Sequence, residues 1–127
     1  MNRDEFIKTY HDFIDTAMGA TLKARREGLL AIESDLDQKK VDERDVFNYG
    51  MRFVLDGVIP EIIDKILSNI IEQEKDEYSR RLKKIQKEAV LNIQQGTNPK
   101  ILHCVLNSYT DLPITPEEAR LSINKKG

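Results

Sequence analysis

Two segments of this 127-residue chain share the pattern Gly-x-x-Pro-x-Ile, which constrains the fold more than any other feature. The pattern occurs at 57–62 and again at 96–101. Glycine favours the left-handed conformation that ends a helix, and proline favours the first helical position, so each copy predicts a helix end followed by a helix start. Residues 87–94 also repeat part of 23–33. The chain is therefore predicted to contain two copies of helix, turn and helix, which are too few for a repeat array.

Composition favours an all-α protein of one domain, residues 1–127. Charged residues make up 33% of the chain and hydrophobic residues 39%, a balance typical of long, solvent-exposed helices. We therefore expect an elongated helical bundle with a core of isoleucine, leucine and valine. A single cysteine excludes an internal disulfide, and a net charge of −2 gives no general attraction to nucleic acid.

Helical spacing of apolar residues and capping signals predict the individual helices. The first is expected from Asn2 or Arg3 to about Leu36, because neither Gly19 nor Gly28 is accompanied by a proline. The remaining predictions are a helix from Glu43 to about Leu55 capped by Asp42, a helix from Pro60, a helix from Pro99 to about Tyr109, and a short helix at 116–122.

The stretch between Pro60 and Gly96 leaves two architectures open. It contains no further glycine or proline, which favours one long central helix of about 36 residues, roughly 54 Å in length. The apolar ends of such a helix could not meet within one chain, so this form predicts a homodimer with a shared core. The alternative is a hairpin that bends near Tyr78 and Ser79, and it predicts a monomer.

A membrane-spanning helix needs about 20 consecutive, mostly apolar residues, and the chain has no such stretch. No hydrophobic signal-peptide core follows the first five residues either. We therefore expect a soluble, cytoplasmic protein.

The chain contains three notable segments, Ala-Arg-Arg-Glu-Gly-Leu-Leu-Ala-Ile-Glu at 24–33, Val-Leu-Asp-Gly-x-x-Pro-Glu at 54–61 and Ile-Gln-x-Gly-x-Asn-Pro at 93–99. Together they resemble the cytoplasmic segments of MotA. MotA is the stator subunit of the bacterial flagellar motor, and the resemblance covers about residues 18–112. Members of that family have four membrane spans and conduct ions with a partner subunit. The resemblance places two of these spans between about residues 71 and 85, where this chain has only a polar stretch.

The resemblance also implies a partner-binding site. It places a positive residue at Arg25 and a negative residue at Glu33, which would contact oppositely charged residues of the rotor switch protein. On one helix these residues would lie about 80° apart, and Arg26 would lie closer to Glu33. The alternative is an ordinary solvated face with local ion pairs. The resemblance therefore implies a flagellar motor protein that acts by protein–protein interaction, and the alternative function is a soluble helical scaffold or dimeric adaptor that lacks the rotor contact.

No pattern in the chain predicts an enzyme. The sequence contains no glycine-rich phosphate loop, no Ser-His-Asp arrangement and no defensible pair of catalytic carboxylates. His11 and His103 are too far apart in sequence to suggest a metal site, and no cofactor is expected. The basic cluster at 80–84 follows an acidic stretch at 72–77, which favours pairing between helical side chains over nucleic-acid binding.

Overall fold

The computed structural model describes residues 1–37 and 45–113. Its helices are α1 (Arg3–Glu27), α2 (Glu33–Asp37), α3 (Val46–Leu55), α4 (Pro60–Glu72), α5 (Glu77–Gln95) and α6 (Pro99–Asn107), with a 3₁₀ turn at Leu29–Ile32. These residues contain no strand, which confirms the predicted all-α fold. The predicted cap Asp42 and the predicted helix at 116–122 lie outside the described residues. Within them, the cap of α3 is Asp45, whose side chain accepts a hydrogen bond from the Asn48 N–H.

The helices pack around one cluster of buried apolar side chains, to which α1 and α3 to α6 all contribute. Its fully buried members are mainly aliphatic, as expected from the composition. They include Phe6, Tyr10, Met51, Ile63, Leu67, Ile85, Leu102, Leu106, Val46 and Val90.

The two Gly-x-x-Pro turns have the predicted structure. Gly57 and Gly96 have positive φ, and Pro60 and Pro99 are the first residues of α4 and α6.

The likeness between the two copies extends into the helices that follow the turns. Ile63 and Leu102 occupy equivalent positions and are both fully buried. The preceding residues, Ile62 and Ile101, are also equivalent, and their exposed fractions are 48% and 53%. The apolar pattern of this segment predicts an inward face of Ile101, Leu102, Val105 and Leu106. For Ile101 this prediction is wrong, because one residue turns a helix by about 100° and Leu102 takes the buried position.

The first helix is shorter than predicted and ends at Glu27 instead of continuing to Leu36. Gly28 has φ 93° and ψ 159°, a conformation that is not helical and that residues with a Cβ rarely adopt. The chain then makes the 3₁₀ turn before α2 begins. The apolar residues Leu29, Leu30 and Ile32 are predicted to be buried. The observed path buries Ile32 but leaves Leu30 71% exposed, so the prediction is wrong for Leu30.

The stretch after Pro60 forms a helical hairpin and not one long central helix. Helices α4 and α5 are separated by a turn at 73–76, a few residues before the predicted bend. Asp76 caps α5 by accepting a hydrogen bond of 2.9 Å from the Ser79 N–H. The Glu74 carbonyl oxygen accepts a bond of 2.8 Å from Arg80 Nε, and its carboxylate pairs with Lys83 Nζ at 3.0 Å.

The hairpin brings the two apolar halves of this stretch together within one chain. Ile63, Leu67 and Ile71 of α4 are buried in the same cluster as Ile85 and Ala89 of α5. The geometric reason for predicting a core shared between two chains therefore disappears. The homodimer itself stays a prediction.

Contacts between distant residues define two ends of the bundle. At the end that we call the Gly-Pro end, Gln94 Nε2 donates to the Val58 carbonyl oxygen at 2.9 Å, which joins the last turn of α5 to the first Gly-x-x-Pro turn. At the opposite end, which we call the hairpin end, the Met1 ammonium lies 3.3 Å from Asp76. The ring centroids of Phe6 and Tyr78 are 5.2 Å apart at the same end. Helix α1 runs from the hairpin end to the Gly-Pro end over 25 residues, about 37 Å.

The Asp76 cap predicts a pH-dependent contribution to stability. The hydrogen bonds from Ser79, followed by the nearby N-terminal ammonium, hold the pKa of the Asp76 carboxyl below its usual value. Because the folded-state pKa is the lower one, the stabilisation is present above the unfolded pKa and is lost as the pH falls through the folded pKa. We therefore expect Asp76→Ala to lower the thermal midpoint at neutral pH, and to lower it less in acid.

Thermal unfolding followed by circular dichroism at about pH 7 and about pH 2.5 measures this difference. Asp76→Asn is the matched control, since asparagine also caps helices but does not titrate. The asparagine variant should retain most of the neutral-pH stability. An Asp76→Ala deficit of the same size at both pH values would contradict the assigned role of the carboxylate.

Candidate partner-binding face

The predicted site residues lie at the Gly-Pro end, but on two different helices. Arg25 and Arg26 belong to the last turn of α1, and Glu33 is the first residue of α2. The break at Gly28 separates them, so the expected 80° angle around a single helix does not apply. All three side chains are exposed. We refer to residues 25–33 as the charged turn.

Arg25 is tied to the second Gly-x-x-Pro turn. Its Nη1 donates a hydrogen bond of 2.9 Å to the carbonyl oxygen of Gly96, which follows α5. This bond fixes the C-terminal end of α1 against the α5–α6 turn. A guanidinium has five N–H groups, so Arg25 retains donors for a partner.

Arg26 has its charge partly offset by its neighbour. Its Nη2 lies 3.1 Å from Glu27 Oε2, and the two side chains are 51% and 46% exposed. Exposed pairs of this kind contribute about 0–1 kcal/mol to stability, so a partner could replace this one at low cost.

Glu33 forms no hydrogen bond or ion pair with another described residue through its side chain. The acidic residue that is paired nearby is Asp35, which lies 3.1 Å from Lys23 Nζ. The Glu33 carboxylate is therefore exposed to solvent at the start of α2. The charged turn thus carries two positive side chains, Arg25 and Arg26, before Gly28 and one exposed negative side chain, Glu33, after it.

Leu30 is the residue of this face that the sequence did not indicate. It lies in the middle of the charged turn and is the most exposed of the large apolar side chains in the described residues. The signal for its exposure was Gly28, because a glycine inside an otherwise helical pattern can change the direction of the chain. The charged turn therefore presents an apolar side chain between its positive and negative residues.

A cavity of about 210 Å³ lies beneath the charged turn, between α1 and the α5–α6 turn. Arg25 and Leu29 contribute to its wall, as do Thr21 and Gln94. The Thr21 Oγ1 and Gln94 Oε1 atoms are buried without a hydrogen-bond partner among the described residues. A second cavity, of about 280 Å³, is lined by Ser68, Lys87 and Tyr109 among others.

Three polar side chains of the second cavity, those of Ser68, Lys87 and Tyr109, are already paired. Lys87 Nζ lies 2.7 Å from Asp64 Oδ1 and donates to Ser68 Oγ at 3.1 Å. Burial and the hydrogen bond that Tyr109 donates to Glu88 raise the pKa of Tyr109 to about 12, so this phenol stays protonated at neutral pH. This cavity therefore offers no unpaired buried polar side-chain atom to a ligand.

Two absences among the described residues bear on the type of site. These residues contain no group of three or more histidine, cysteine, aspartate or glutamate side chains that could hold a metal ion. None of the helices at 1–37 and 45–113 combines the length and the apolar character needed to cross a membrane.

Comparisons of the chain with protein-family models, curated proteins and solved structures give no match.

Proposed function

We propose that this protein binds the switch protein of the flagellar rotor through its charged turn, as a MotA-like module without membrane-spanning helices. The observation that carries the proposal is the position of the charged turn relative to the α4–α5 hairpin. Arg25 and Glu33 lie at the Gly-Pro end. The turn at 73–76, where the resemblance places two missing membrane spans, lies at the hairpin end, about 37 Å away.

This arrangement suits a stator-like role. Spans inserted at the hairpin end would anchor that end at a membrane and leave the charged turn facing away from it. A rotor protein that approaches from the aqueous side would then meet Arg25, Leu30 and Glu33 first. The same chain without the spans would present the same face to the same partner.

The chemistry of the charged turn supports a charged partner with a small apolar contact. Arg25 and Glu33 would pair with residues of opposite sign, and Leu30 would lose its solvent contact on binding. Complementary charges of this kind steer association and specify the partner, and their effect weakens with salt.

Charge reversal tests the proposal. Calorimetric titration into the C-terminal domain of the rotor switch protein, in low and moderate salt, should show binding that weakens as salt is added. Arg25→Glu and Glu33→Lys should each reduce the affinity by about tenfold or more, equivalent to about 1.4 kcal/mol. Reversing the opposing charge on the switch protein should restore part of the loss.

Lys8→Glu and Asp12→Lys are matched controls, because both residues are exposed on α1 outside the charged turn. They change the net charge by the same amount as the test variants and should leave the affinity nearly unchanged. Absence of binding in every buffer, or equal losses in test and control variants, would overturn the proposal.

A second candidate function is a helical scaffold or dimeric adaptor. It is favoured by the exposed isoleucines at the start of α4 and α6, since Ile59 is 53% exposed and Ile62 and Ile101 are similarly exposed. A second copy of the chain could cover these side chains. Sedimentation equilibrium separates the two functions when the wild type is compared with the Ile62→Ser, Ile101→Ser double variant. If the protein is a dimeric adaptor, the wild type would be a dimer and the double variant would dissociate.

A further inference from the structure

Helix α4 carries apolar side chains on the side that faces away from the core. Ile63 and Leu67 are fully buried, whereas Ile62 is 48% exposed. Ile66 follows Ile62 by one helical turn, is half-buried and lies outside the core cluster of the described residues. Ile59, directly before the helix, is 53% exposed. Ile59, Ile62 and Ile66 therefore form an apolar row about two turns long that the bundle leaves partly uncovered.

Two opposite charges lie beside this row. Glu61 and Lys65 are both exposed on α4, four residues apart. Neither side chain forms an ion pair or a hydrogen bond with another residue of the described part of the chain. In helical geometry Glu61 lies about 100° from Ile62, and Lys65 lies about 100° from Ile66 in the same direction. The outer face of α4 therefore has an apolar side and a charged side.

The order of these four residues makes the outer face of α4 complementary to itself. The two charges are centred on position 63 and the two isoleucines on position 64, so the two centres lie about 1.5 Å apart along the helix. If two copies of α4 pack antiparallel around a two-fold axis at this level, Glu61 of each copy lies level with Lys65 of the other. Ile62 of each copy then lies level with Ile66 of the other, again to within about 1.5 Å. Two-fold symmetry forms each contact twice, which gives two ion pairs and two apolar contacts.

The second Gly-x-x-Pro copy lacks this pattern. Lys100 and Cys104 of α6 occupy the positions that Glu61 and Lys65 have in α4. Ile101 is 53% exposed, so an exposed isoleucine is common to both copies. Two copies of α6 packed in the same way would gain no pair of opposite charges. Self-complementary charge is therefore a property of α4 and not of the repeated pattern.

We propose that α4 forms the interface of a homodimer, in which it packs antiparallel against α4 of a second copy. Burial of the isoleucine row stabilises the dimer. The Glu61–Lys65 pairs fix the antiparallel direction, because parallel packing would place like charges opposite each other. Each chain keeps its own core in this dimer, unlike a dimer that shares one core along a single long helix.

Exchange of the two charges tests this pairing, with sedimentation equilibrium of the full chain from about 10 µM to about 1 mM as the measurement. The wild type should show a monomer–dimer equilibrium. Glu61→Lys and Lys65→Glu each place like charges at both pairs and should weaken the dimer by about tenfold or more. An equimolar mixture of the two variants should restore dimers, because every pair between unlike chains again has opposite charges. A wild type that stays monomeric, or a mixture that associates no better than the separate variants, overturns the proposal.

Ile62→Ser should also weaken the dimer by about tenfold or more, because it removes part of the apolar row. Ile101→Ser is the matched control, since Ile101 has the equivalent position in α6 and a similar exposure, and it should leave the dimer unchanged. Equal losses in the two variants would contradict the assignment to α4. If Ile62→Ser does not fold, the charge exchange still decides. No rotor protein is present in these experiments, so their result is independent of the proposed binding through the charged turn.

Discussion

Replacing Gly50 by valine is expected to lower the free energy of unfolding by about 3 kcal/mol, because the helices around it leave no room for a side chain. Gly50 lies within α3 and is buried against α4 and α5. A Cβ at this position would lie 2.9 Å from Leu67 Cδ1 and 2.9 Å from Val90 Cγ2. Both neighbours are fully buried, so neither can move away without displacing other core side chains.

Urea denaturation of the wild type and the variant measures the difference directly. Gly19→Val is the matched control, because Gly19 is also inside a helix but a Cβ there meets nothing within 4 Å. Valine and glycine differ by only a few tenths of a kcal/mol in helix propensity, so the control should stay within about 0.5 kcal/mol of the wild type. Similar losses at the two positions would mean that α3 is not closely packed at Gly50.

Ile63→Ala is expected to cost about 3–4 kcal/mol, whereas Ile62→Ala should cost less than about 1 kcal/mol. The two isoleucines are adjacent in α4, but Ile63 is fully buried and Ile62 is 48% exposed. Truncation at Ile63 removes apolar contacts and leaves a cavity in the core, while truncation at Ile62 mainly reduces surface area. Denaturant unfolding of both variants gives the comparison.

The second Gly-x-x-Pro copy offers an internal repeat of this experiment. Leu102→Ala and Ile101→Ala occupy the equivalent positions in α6, with the same contrast between a buried and an exposed side chain. The same order of losses should be found in α6. A large loss for Ile62→Ala or Ile101→Ala that depends on protein concentration would instead indicate that a second copy covers these side chains.

The all-α class and the two Gly-x-x-Pro turns could be predicted from the sequence, because their signals are local. A proline at the first helical position and a glycine just beyond a helix act within one turn of backbone, whatever the rest of the chain does. Helices α4 and α6 accordingly begin at Pro60 and Pro99 as predicted. The Asp76 cap is an equally local signal, but it lies within a run of charged residues without a glycine or proline, and helical spacing alone does not reveal it.

The candidate site could be predicted only in part. The exposure of Arg25, Arg26 and Glu33 follows from their charge and agrees with the structure. Their relative positions could not be predicted from the sequence, because the conformation of Gly28 divides the expected single helix into two helices. Periodicity treats residues 23–33 as continuous, so it could not assign Leu30 to the surface.

Taken alone, the sequence determined that the fold is all-α, where prolines start α4 and α6, and that the charged residues Arg25, Arg26 and Glu33 lie at the surface. These properties depend on each residue and its near neighbours. The tertiary structure alone decided that α4 folds back on α5, that Gly50 admits no side chain, and that Arg25 meets the Gly96 carbonyl. Each of these depends on contacts between segments far apart in the chain, and such contacts form only when the helices pack around a common core.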